Sequence, residues 1–103
     1  MKFVLTWTVR SAGTAGENIE GVQSTQKLLA NWQPDASATM HQWLVRCDNN
    51  GGFAVLETDD PAALYKDIAT WSPWLTFQLF PVLDITESTP LAAEAAGIAK
   101  SAL

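Results

Sequence analysis

The chain has 103 residues, 48% of them apolar and five of them Trp, with six basic and eleven acidic side chains and a net charge of −5. That length makes one domain, residues 1–103, able to bury a core without a disulfide or a metal. Acidity without a basic run excludes nucleic acid as a partner, because phosphate contacts need clustered Lys and Arg, and no stretch approaches the ~20 apolar residues of a membrane span.

Residues 2–9 alternate. Phe3, Leu5, Trp7 and Val9 point one way and Lys2, Val4, Thr6 and Thr8 the other, the period of a half-buried strand. A basic residue ahead of a short apolar run looks like a signal peptide, but the run is too brief and no small-residue cleavage site closes it. With a lone cysteine, Cys47, this predicts a cytoplasmic protein. Residues 10–13 read as a loop. Thr14 and Glu17 then form a capping box, followed by Ile19, Val22, Leu29 and Trp32 at helical spacing. Gln33-Pro34 ends that helix, since the residue before proline is pushed out of the α region.

The second strand is predicted over 39–48 and the third over 52–58. Asn50-Gly51 between them suits a two-residue type I′ turn, which needs positive φ at both central positions. Asp60-Pro61 opens a second helix, with Asp as cap and Pro at the first helical position; Leu64, Ile68 and Trp71 form its stripe. Ser72-Pro73 stops it, and residues 75–83 form the fourth strand. Pro81 within it means that this strand lies at the sheet edge or carries a bulge there; an edge agrees with the strand order 4-1-3-2. Thr89-Pro90 is predicted to open an appended, Ala-rich helix over 90–102.

Before that appended helix the order is β-α-β-β-α-β. This is the ferredoxin-like plan, an α+β fold with an antiparallel sheet in the order 4-1-3-2. The two helices cover one face. The predicted turn sets Cys47 opposite Ala54, Val45 opposite Leu56 and Trp43 opposite Thr58 on the helix-backed face, joined by His41. The other face then mixes Val4, Leu44, Phe53, Val55, Phe80 and Val82, with Met40 beside them, with Thr6, Gln42, Arg46, Glu57 and Gln78. Gln42 and Arg46 fall diagonal to Glu57. A monomer seldom leaves such a surface in water, so a homodimer packed through it is expected.

The stretch from His41-Gln42-Trp43-Leu44-Val45-Arg46-Cys47-Asp48 through Gly51-Gly52-Phe53-Ala54-Val55-Leu56-Glu57-Thr58-Asp59 resembles the core of a small bacterial family known only as a domain of unknown function. Lys2–Thr8 and Phe77–Asp84 extend the resemblance over nearly the whole chain. That family is similar in pattern to the dimeric α/β-barrel group, which includes cofactor-free monooxygenases, haem-degrading enzymes and muconolactone isomerases. The resemblance implies a dimeric barrel and a ligand in the cleft between sheet and helices. It implies no catalytic residue, because no motif is shared across that group.

His41 is the only histidine and the only side chain that titrates near neutrality unperturbed. It is a candidate general base or haem ligand, against the simpler role of a hydrogen-bonded strand-end residue. Strict alternation separates it from Glu57, and a bulge near 41–43 would be needed to unite them. Glu57, in mid-strand, is the second catalytic candidate; the competing reading is a register-fixing pair with Arg46. Thr6, Gln42, Arg46, Glu57 and Gln78 are the candidate ligand-binding residues. The five Trp read mainly as core by their spacing, yet so many in a short chain exceed what one sheet and two helices cover; such a surplus marks an interface or a ligand cavity, and Trp71 or Trp74 could roof a pocket. Cys47 has no nearby His or Lys on its face to make it reactive. No spacing suits a metal, and nothing selects a cofactor. The expected function is a homodimeric module that binds a small, largely apolar molecule or serves assembly without catalysis. The alternative is a cofactor-free monooxygenase or isomerase in which Glu57 or His41 moves a proton.

Overall fold

Alternating and helical patterns become seven elements in a computed structural model that describes residues 1–11 and 13–103. In chain order these are β1 (Lys2–Val9), α1 (Ala15–Asn31), β2 (Thr39–Val45), β3 (Gly52–Glu57), α2 (Pro61–Trp71), β4 (Leu75–Val82) and α3 (Ile85–Lys100). The loop expected at 10–13 contains Ala12, which lies outside the described residues. The strands form one antiparallel sheet in the order β2-β3-β1-β4, the ferredoxin-like topology. Pro81 sits on β4, an edge strand, where its missing N–H leaves no gap inside the sheet.

Helix starts follow their caps. The Thr14 hydroxyl accepts the Glu17 N–H at 3.1 Å and donates to the Glu17 carboxylate at 3.0 Å. Asp60 Oδ1 accepts the N–H groups of Ala62 and Ala63, and Pro61 follows it. The packed core is small: Ala54, Leu56 and Leu64, with Phe3, Leu5, Trp7, Met40 and Ile68 against them. It lies between α2 and the middle of the sheet. By contrast, α1 contributes no buried residue.

Three expectations are corrected. The β2–β3 connection is not a two-residue turn. β2 ends at Val45, the Arg46 N–H donates to Gly51 O at 2.8 Å, and residues 47–50 form the loop. Asn49 takes φ 59° and Gly51 φ 107°, while the Asp48 carboxylate accepts the Asn50 N–H. A side-chain-closed turn of this kind outcompetes the Asn-Gly reversal. The true partners are Trp43 with Ala54 and Val45 with Gly52, four residues from the predicted register. Four is even, so Trp43, Val45, Ala54 and Leu56 still share a face.

Second, the ladder slips between Met40 and Gln42. His41 is the extra residue of a bulge, and this reverses the start of β2: Met40 joins the helix-backed face and His41 leaves it. Third, α3 begins at Ile85 behind Asp84, and Pro90 lies inside it. Ile19 also departs from expectation, since it stands exposed on the outer side of α1.

Candidate functional site

α1 stands off the sheet, and the space beneath it is a cavity of about 910 Å³. All five tryptophans line it: Trp7 from β1, Trp32 at the end of α1, Trp43 from β2, Trp71 from α2 and Trp74 from the turn before β4. Trp32 meets Trp43 edge-on with ring centroids 5.8 Å apart, and Trp71 likewise at 5.4 Å. These edge-to-face contacts satisfy the ring quadrupoles and tie β2, α1 and α2 together at one end of the cavity. Val22 and Leu29 of α1 face the same space, as do Leu5 and Phe77 from the sheet.

The fixed floor of the cavity has a specific cause. A Cβ at Gly52 would stand 2.1 Å from Leu44 O and 2.5 Å from Trp7 Cζ2. The Trp7 ring therefore lies where only glycine leaves room. Polar groups gather at the rim. The Arg10 Nε donates to Ser72 O at 3.0 Å and Leu75 O at 3.3 Å, bracing the chain between α2 and β4. Asp67 accepts the Asp35 N–H at 3.1 Å.

None of the candidate catalytic or ligand-binding residues, Thr6, His41, Gln42, Arg46, Glu57 and Gln78, lines this cavity. His41 and Glu57 are brought together, with Nε2 to Oε1 at 2.8 Å and both side chains nearly half exposed. The bulge that the sequence alone does not announce makes that contact. Thr6 is the cross-strand partner of Gln78 on β4 and of Phe53 on β3, and Gln42 stands opposite Val55. These five residues share the sheet face that α1 and α2 leave uncovered. Arg46 does not reach Glu57; it lies in the turn and pairs with Asp48. The Arg46–Glu57 pair expected from the two-residue turn is thus replaced by His41–Glu57.

Beside Glu57 a smaller hollow, about 240 Å³, is bordered by Lys2, Val82, Asp84 and Glu87. Lys2 Nζ donates to Asp84 Oδ1 at 2.8 Å. That hydrogen bond raises the Lys2 pKa and holds the Asp84 carboxyl below its ordinary value. Asp48 is lowered too, first by the Asn50 backbone N–H and then by Arg46.

Sequence reasoning missed that the five Trp converge on one space. Their number, more than a core of this size can enclose, points in the sequence to an interface or a ligand cavity but does not say that they share one space. Among the described residues no helix is long and apolar enough to cross a membrane.

The sequence pattern of a family described as a domain of unknown function (DUF3303) matches residues 1–96, and the chain belongs to that family. No curated protein matches it.

Proposed function

We propose that this member of the DUF3303 family is a non-catalytic module that binds a small, flat, apolar molecule beneath α1, and that it works as a homodimer joined through the uncovered sheet face. The observation that carries the reading is the convergence of all five Trp on a single 910 Å³ space. Ligand cavities have about this volume and are lined mainly by apolar and aromatic groups. Aromatic faces on several walls suit a planar ring system better than a flexible chain.

The dimer draws its support from the opposite face. Leu44 is 54% exposed there, and Phe53 and Phe80 are 47% exposed. Contiguous apolar surface of this kind marks an interaction site on a protein domain, and a twofold pair is the commonest way to cover one. In this reading Thr6, Gln42 and Gln78 supply polar contacts inside the interface.

The His41–Glu57 pair favours the enzymatic alternative, a cofactor-free monooxygenase or isomerase, because a carboxylate can orient an imidazole for proton transfer. Against it stands position: the pair lies across the sheet from the cavity, out of reach of a molecule held there. The binding reading is therefore preferred.

1-Naphthol is the test ligand. Titration into the wild-type protein is expected to change Trp emission saturably, at one site per chain. Val22→Asp places a charge on the cavity side of α1 at a half-exposed position and is expected to weaken binding at least about tenfold. A linear, unsaturable response, or equal affinity in the variant, would refute the cavity as a ligand site.

A further inference from the structure

The exposed C-terminal helix carries a second surface. α3 has no buried residue, and its apolar side, formed by Ile85, Leu91, Ala92, Ala95, Ile98 and Ala99, faces solvent. Glu87 and Glu94 border that side on one flank and Lys100 on the other, the arrangement of an interface core with a charged rim.

Alanines, with Glu87 in the first turn and Lys100 in the last, favour α3 from within, but three features work against it. At 16 residues it is only just longer than the ~12–15 below which isolated helices are marginal in water. This one contains Pro90 and Gly97, and Asp84 makes no side-chain cap bond. Proline in a helix interior removes a backbone donor and crowds the preceding turn, and glycine gives up backbone entropy. A helix with these handicaps needs a surface to lie on.

Two measures show how much surface the chain as a whole leaves uncovered, the open space beneath α1 included. The radius of gyration is 18.1 Å, against about 13 Å for a compact chain of this length. The accessible area is 7447 Å², against roughly 5,700 Å² for a folded monomer of this mass. The difference exceeds the roughly 800 Å² that each partner contributes to a stable dimer. The root of the helix gives its direction. Asp84 is held by Lys2, and Glu87 shares a hollow with Glu57, so α3 leaves from the side of the sheet that α1 and α2 do not cover.

We infer that α3 is an exchanged arm whose apolar side lies on the uncovered sheet face of a second copy of this chain. The inference rests on the dimer reading above and adds the arm to it. At 1.5 Å per residue the helix is about 24 Å long, enough to cross four strands spaced about 4.8 Å apart. Leu44 and Phe53, the most exposed apolar pair on that face, are its seat on the partner.

The test uses the full chain in three forms: wild type, Phe80→Asp, and the double variant Leu91→Glu with Ile98→Glu. Both α3 positions are exposed, so the glutamates leave the fold of the domain intact. Sedimentation velocity is run at micromolar concentrations, with hydrogen exchange measured on the same samples. The wild type is expected to be a dimer with α3 amides protected. The double variant is expected to dimerise at least about tenfold more weakly and to lose α3 protection. Phe80→Asp is expected to be monomeric with α3 unprotected. A wild-type dimer whose α3 exchanges like a free helix, or whose affinity survives the two glutamates, overturns the arm and leaves the dimer standing. A monomeric wild type overturns both. Leu91→Cys in a Cys47→Ser background supplies the last control. Efficient disulfide formation between two such chains would mean that α3 meets α3, which also overturns the proposed seat.

Discussion

At Gly52 one methyl group decides whether β1 and the β2–β3 turn can coexist. The space for a Cβ is already filled by Leu44 O and the Trp7 ring, and both belong to rigid strands. Gly52→Ala is therefore expected to destabilise the protein by about 1–3 kcal/mol in urea unfolding. Stability equal to wild type would show that Trp7 does not rest on the turn. The Lys2–Asp84 pair makes a smaller contribution, because both partners are solvated and screened. Its pH window follows from the directions of the shifts. Asp84 is lowered on folding, so its contribution is present above the ordinary aspartate value and fades as pH falls through the lowered one. Lys2 is raised, so its contribution is present below the ordinary lysine value and fades as pH rises through the raised one. Asp84→Asn is expected to lower Tm slightly at neutral pH and to match wild type near pH 2. A difference that persists in acid would locate the effect in the asparagine, not in the ion pair.

The elements differ in how openly the sequence declares them. β1, α1 and α2 were legible because cap, period and stop agree: Thr14 with Glu17 and Asp60 with Pro61 supply local signals that tertiary contacts do not override. The β2–β3 hairpin was legible as a hairpin but not in register. Asn49, Asn50, Gly51 and Gly52 offer several positions that tolerate positive φ, and the choice among them depends on the Asp48 carboxylate closing the loop. Face assignment survived the four-residue error through parity alone. It failed where parity changes, at the His41 bulge, which no residue type announces. The start of α3 was misjudged because Thr89-Pro90 imitates a helix entry, whereas Asp84 and Ile85 carry only a weak one. The tryptophans were dispersed along the sequence, so their convergence needed the crossovers of α1 and α2 to become visible.

As a whole, the molecule is extended to 60 × 31 × 22 Å, and its apolar groups are distributed over three surfaces: a cavity, an uncovered sheet face and an arm. A single buried core accounts only for the α2 side. The sheet order was readable from the element sequence and from Pro81; the stand-off of α1 was not, because an apolar stripe looks the same whether it meets a sheet or a ligand. In the proposed function that stand-off makes α1 the cover of the cavity, and its own stability is then linked to occupancy. The most direct measurement is hydrogen exchange of the wild-type protein with and without 1-naphthol. Slower exchange throughout α1 (Ala15–Asn31) at saturating ligand, with α3 unchanged, is the predicted result. Exchange of α1 at the same rate with and without ligand would contradict a molecule seated beneath it.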